Sequence, residues 1–113
     1  MSDGPHHMSK PIQIRLRIPK NNKAPLLDDS GYPLDMASVR FRKLMSVAAI
    51  PKTRVTIELT AGSRTFPAVV TMTEWSEAEG RFIVTCQYGL RSISVDDQNA
   101  LVSDEEWQLM PLV

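Results

Sequence analysis

The densest group of side chains able to do chemistry is acidic: Asp96, Asp97, Asp104, Glu105 and Glu106 near the C-terminal end could supply a carboxylate pair for general acid–base work. Solvation is the commoner role of such carboxylates, and nothing else converges on them. Histidine occurs only as His6 and His7, in a polar N-terminal stretch with no third ligand nearby, so neither a neutral-pH base nor a metal site is expected there. Cys86 is the sole cysteine, which excludes an internal disulfide. Its place in an alternating apolar run marks it as a small buried residue rather than a nucleophile. The nucleophile-elbow, zinc-protease, paired-cysteine and glycine-rich phosphate patterns are missing, and the five glycines fall singly at turns. No catalytic residue, cofactor or metal is assigned, and the chain reads as a non-enzyme.

The remaining candidates are cations. Formal charge is zero, with thirteen Lys/Arg against thirteen Asp/Glu, but the first 54 residues hold ten bases and four acids, and the remainder three bases and nine acids. The chain is therefore divided into a +6 and a −6 half. Arg15 and Arg17 fall on the polar side of a strand pattern, about 7 Å apart because they are two rises of ~3.3 Å from one another. Arg42 and Lys43 share the polar side of a second pattern, with Arg40 at its edge. These four, with Trp75 as an exposed aromatic anchor, are the expected partner-binding residues: Arg15, Arg17, Arg42, Lys43 and Trp75. For Trp75 the competing reading is burial under a helix or the C-terminal segment; for Trp107, followed by Leu109 and Leu112, the core reading is the stronger.

The elements that must position these residues organise around residues 54–88. Val55, Ile57 and Leu59 alternate with polar residues, a half-buried strand. A turn at Ala61, Gly62 and Ser63 leads to a second run with Phe66, Ala68, Val70 and Met72 on one face and Pro67, Val69, Thr71, Thr73 and Trp75 on the other. A polar loop ending in Gly80 precedes a third run in which Phe82, Val84, Cys86 and Tyr88 share a face. Three antiparallel strands in succession need a cover.

Upstream, residues 1–11 read as a flexible tail. Residues 12–18 give the cleanest strand pattern, with Ile12, Ile14, Leu16 and Ile18 on one side and Pro19 closing it. Residues 20–33 form a long loop. Its Asp28-Asp29-Ser30-Gly31 reads as a turn, because the spaced ligands and closing glutamate of a calcium loop are absent. Asp35 is placed to cap a helix reaching about Ala49, in which Ala37, Phe41, Leu44, Met45 and Ala48 make one apolar stripe; this helix is the expected cover. Downstream, Leu90 to Val95 reads as a fourth meander strand. Residues 96–103 form a turn or short helix capped by Ser94 or Ser103, and residues 107–113 a short final strand, with one turn of helix at 104–109 as the alternative.

These patterns predict a single β-rich α+β domain over residues 12–113: a small bent antiparallel sheet, or partly open barrel, of five to six strands with one covering helix. The plan is similar to that of SH3-like and Sm-like modules as architecture alone. No run approaches a membrane span and no basic-then-apolar leader opens the chain, so a cytoplasmic protein is expected. The expected function is a binding or assembly module acting on a protein partner or a second copy. The alternative is a small nucleic-acid-binding barrel using Arg15, Arg17, Lys20, Lys23, Arg40, Arg42, Lys43, Lys52 and Arg54. That alternative is opposed by zero net charge and by few aromatics among those bases.

Overall fold

The computed structural model describes residues 9–18, 28–32, 39–90 and 93–111. The expectations for residues 1–8, including His6 and His7, for residues 20–27 and Pro33 of the long loop, for Asp35 and Ala37, and for Leu112 and Val113 lie outside them.

Six strands and one helix follow one another as β1 (Lys10–Ile18), β2 (Val39–Val47), β3 (Thr56–Ala61), β4 (Arg64–Ser76), β5 (Arg81–Tyr88), α1 (Val95–Ser103) and β6 (Gln108–Met110). The strands form one mixed, curled sheet in the order β3-β4-β5-β1-β2-β6, a half-barrel with a single helix. β1 is central because its apolar face is unbroken. Ile12, Ile14, Leu16 and Ile18 are all buried, and the strand pairs antiparallel with β2 and parallel with β5. The strand starts two residues earlier than its alternation indicates, taking in Lys10 and Pro11.

The meander pairs as the alternation predicts, with β3 antiparallel to β4 and β4 antiparallel to β5, except that Val55, expected on the apolar face with Ile57 and Leu59, precedes β3 and is 43% exposed. Gly62 turns the first hairpin at φ 57° and Gly80 the second at φ 66°, backbone that a side chain would strain. Within β4 the register jumps from Val70 opposite Cys86 to Met72 opposite Thr85, leaving Thr71 as an extra residue. The jump inverts every later side chain. Met72, expected inside, is 50% exposed, while Thr73 and Trp75 come to stand opposite Val84 and Phe82 on the inner face.

The expected helix over residues 35–49 is corrected. Residues 39–47 are strand β2, paired with β1 along all nine positions. Phe41, Leu44, Met45 and Ala48 suit a helical stripe, but Val39, Phe41, Met45 and Val47 also alternate. The long antiparallel register with β1 decides the matter, since intrinsic propensity is a weak prior against tertiary pairing. Leu44 shows the result: it points outward and is 57% exposed.

Cover comes instead from α1. Ser94 caps it, its Oγ accepting from the Asp97 amide at 3.1 Å, and the helix lies against β3 and β4 with Leu101 buried beneath it. The expected strand from Leu90 to Val95 is absent among the described residues: Leu90 lies in an exposed bend and Val95 already opens the helix. The final strand is present as β6, paired to β2 at residues 40–42. Trp107, just before it, is buried in the core and donates Nε1–H to the Thr60 carbonyl at 2.8 Å, which ties the C-terminal segment to the far edge of the sheet.

Candidate binding face

The outer face of the two central strands carries the strongest arrangement of charge. With Ile14, Leu16 and Ile18 turned inward, alternation sends Arg15 and Arg17 outward; with Val39 and Phe41 inward, it sends Arg40 and Arg42 outward. The antiparallel register then sets Arg15 directly opposite Arg42 and Arg17 directly opposite Arg40. Four guanidinium stems form a block about 5 Å across the strands and about 7 Å along them.

Like charges directly opposite one another on a sheet are destabilising, so the compensation each arginine finds is informative. Arg15 is the best supported. Its Nε donates to Gln13 Oε1 at 2.6 Å and its Nη2 lies 3.3 Å from Glu79 Oε2, while Gln13 Nε2 donates to Glu79 Oε1 at 2.7 Å. Gln13 is only 3% exposed, so it works as a fixed strut between the arginine and the β4–β5 turn. Arg42 donates to the neutral Gln108 Oε1 at 2.9 Å and Arg40 to the Pro111 carbonyl at 3.4 Å. Arg17 is exposed and has no partner among the described residues. One carboxylate thus answers four guanidiniums among the described residues.

Beside the block, an open cleft of about 500 Å³ is lined by Gln13, Leu44 and Gln108, by the bases Arg42, Lys43 and Arg81 and by the acids Glu79, Glu105 and Glu106. The arginine face is therefore bounded by acids at the β4–β5 turn and at the turn before β6.

The five residues expected to bind a partner do not share one face. Arg15, Arg17 and Arg42 do, and Arg40, which a helical pattern puts at the edge of a buried stripe, completes their block. Lys43 follows Arg42 in a strand and so points to the inner face. There its Nζ lies 3.2 Å from Glu106 Oε1 and 5.5 Å from the centre of the Trp107 ring, which lets a cation sit beside the core. Trp75 is also on the inner face, at the open end of the half-barrel; it is 51% exposed and meets Phe82 edge-on at 5.3 Å.

A second cluster joins α1 to the sheet. Asp97 Oδ2 accepts from the Tyr88 hydroxyl at 2.7 Å and Oδ1 from Arg64 Nε at 2.9 Å. Burial pushes the Asp97 carboxyl up, but the hydrogen bonds from Tyr88, Arg64 and Ser94 and the Arg64 charge outweigh it, and the group sits below the usual carboxylate range. Burial, with the Asp97 hydrogen bond and charge, pushes the Tyr88 phenol up to about 12. An ionised carboxylate with filled lone pairs and a neutral phenol are held at rest, and the cluster serves as a tie. Asp104 adds a second one, accepting from the Gly62 amide at 2.8 Å and from the Glu106 amide at 2.8 Å.

The calcium-loop resemblance at residues 28–31 resolves as a turn, since Asp28 Oδ1 accepts from the amides of Ser30 and Tyr32, each at 2.9 Å. Among the described residues no three His, Cys, Asp or Glu side chains converge as a metal ion needs, and no helix is long and apolar enough to cross a membrane.

Comparison with protein-family models, with curated proteins and with solved structures gives no significant match. The geometry of the face is the ground for a functional reading.

Proposed function

We propose that the protein is a non-enzymatic binding module whose outer sheet face takes an acidic segment of a protein partner. The observation that carries this reading is the direct opposition of Arg15 with Arg42 and of Arg17 with Arg40 on the outer face, with a single carboxylate partner for the four among the described residues. Such a block costs stability in the free protein and is relieved when carboxylates from a partner enter it. Guanidinium groups suit this task because their fixed fork of donors holds a carboxylate in two parallel bonds.

The size of the block favours a short acidic segment over a nucleic acid. A phosphate backbone long enough to cross the face would run onto Glu79 at one margin and Glu105 and Glu106 at another. The outer face of the two strands also presents no aromatic ring for base stacking, and zero net charge gives weak long-range attraction for a polyanion.

The test is a titration at low and high salt with three probes: a peptide of about four residues carrying two Glu or Asp, short enough to stay within the block, its Gln/Asn counterpart, and an oligonucleotide. The reading expects the acidic peptide to bind, to weaken as salt rises and to outcompete the other two. Tighter binding of the oligonucleotide would instead favour nucleic acid, and no binding of the acidic peptide at low salt would overturn the proposal.

A further inference from the structure

Strand register aligns two rows of residues across the outer face. Arg40 is opposite Arg17, Arg17 is beside Gln87, and Gln87 is opposite Val69. In the next row Arg42 is opposite Arg15, Arg15 is beside Thr85, and Thr85 is opposite Met72. Each row runs from two guanidiniums on β2 and β1, through an uncharged polar residue on β5, to an apolar residue on β4. On this side the arginine block continues into an apolar strip.

The extra residue at Thr71 makes the strip. Without it Met72 would face the core, as plain alternation predicts; with it Met72 turns outward and is 50% exposed. Past the end of β5, the Gly89 amide donates to the Pro67 carbonyl at 2.8 Å, and a Cβ on Gly89 would meet that oxygen at 3.0 Å. Glycine there lets the chain lie close on β4. Leu90, the next residue, is 50% exposed, and an open cleft of about 310 Å³ is lined by Val69, Thr71, Gln87, Tyr88, Gly89 and Leu90. Scattered exposed apolar residues are ordinary on a surface, but here a bulge re-aims one of them beside an apolar cleft and in line with paired arginines.

We propose that the acidic segment taken by the arginine block also carries a large apolar side chain, which enters the cleft between Val69 and Leu90 and packs on Met72. This rests on the acidic-partner reading and adds to it a second determinant of the partner and a direction. Strands lie ~4.8 Å apart, so β4 is about 12 Å from the midline between β2 and β1, and an extended segment laid across the strands covers that distance in about four residues. Alternation within the segment then sets its acidic residue over the arginines, a small polar residue two places on over Gln87 and Thr85, and the apolar residue four places on over the strip. Exposed Glu58, opposite Pro67, and exposed Glu74, opposite Ile83, flank the strip on this face. They repel the acidic end from β4, so the segment has one polarity across the sheet.

The experiment is a calorimetric titration with the four-residue acidic peptide, with that peptide extended by four neutral residues that place Leu or Ser four positions from the acid, and with a neutral peptide carrying the Leu alone. The extension is made at each end in turn. The Leu peptide is expected to bind about tenfold more tightly than its Ser counterpart for one of the two ends, the scale of burying one Leu side chain. Met72→Ser and Leu90→Ser, at exposed positions where circular dichroism should report an unchanged fold, should remove most of that gain and leave the affinity of the four-residue peptide unchanged. A Leu peptide no tighter than its Ser counterpart at either end, a gain that survives both substitutions, or a neutral Leu peptide that binds as well as the acidic one overturns the inference. If the four-residue acidic peptide still binds in any of these cases, the proposed function stands without the apolar determinant; if it does not bind, both fall.

Discussion

The Tyr88 hydroxyl donates to Asp97 Oδ2 at 2.7 Å with both residues buried, one at the end of β5 and the other in the first turn of α1. This bond, with Arg64 from the start of β4, fastens the helix to the meander. Tyr88→Phe removes one donor and leaves a buried carboxylate short of a partner. It should cost about 1–2 kcal/mol in urea unfolding, and Asp97→Ala more, because Tyr88 and Arg64 both lose their acceptor. A change within experimental error would show that the cluster does not hold the helix.

The same cluster sets the limits of pH stability. A carboxyl whose folded pKa lies below its unfolded value stabilises the fold above the unfolded pKa and loses that contribution as pH falls through the folded one. Asp97 and Asp104 both have lowered values, Asp104 chiefly through the Gly62 and Glu106 amides, so stability should decline at and below the usual carboxylate range. Asp97→Asn should flatten part of that decline. At the alkaline end, Tyr88 has a raised value, and stability should be lost between pH 10, where the unfolded phenol ionises, and about 12. Ultraviolet titration of the phenolate, with Tyr88→Phe to assign it, follows that second loss.

Cys86 is fully buried on β5, and burial pushes its thiol up to about 11. With so little thiolate at neutral pH and no access, it should stay silent to disulfide reagents in the native state. Its labelling should appear at the midpoint of unfolding, which makes the single cysteine a probe of global opening. Rapid labelling of the folded protein would contradict the placement of this strand.

Arg17 is the member of the block with no compensation among the described residues. Arg17→Gln should leave stability unchanged or raise it by roughly 0.2–1 kcal/mol, the cost of a like charge directly opposite on a sheet, while weakening the acidic peptide. Thermal melts paired with the peptide titration check both signs. A loss of stability would mean that Arg17 has a structural role.

Much of the fold is legible in period-two alternation, as in Ile12, Ile14, Leu16 and Ile18 or in Phe82, Val84, Cys86 and Tyr88. Helix α1 is legible in Ser94 three residues ahead of Asp97. β2 is misread because Phe41, Leu44, Met45 and Ala48 satisfy the helical spacing too, and because the inward Lys43 interrupts the apolar alternation. What admits Lys43 is Trp107 and Glu106, more than sixty residues later. The parallel pairing of β1 with β5 and the extra residue at Thr71 depend on partners rather than on either strand's own sequence. The binding face follows the same division. Arg15 and Arg17 are placed by their own strand, but Arg40 and Arg42 join them, and Lys43 and Trp75 leave, only once β2 is a strand and β4 carries its bulge.

The most direct measurement is the amide spectrum of isotope-labelled protein during addition of the acidic peptide. Shifts confined to Gln13, Arg15, Arg17, Arg40 and Arg42 and the neighbouring β4–β5 turn, with Leu101 and Ala61 unmoved, are the predicted result. Shifts centred on α1 or on the open end around Trp75, or a spectrum unchanged at saturating peptide, would contradict the assignment of the arginine face as the binding surface.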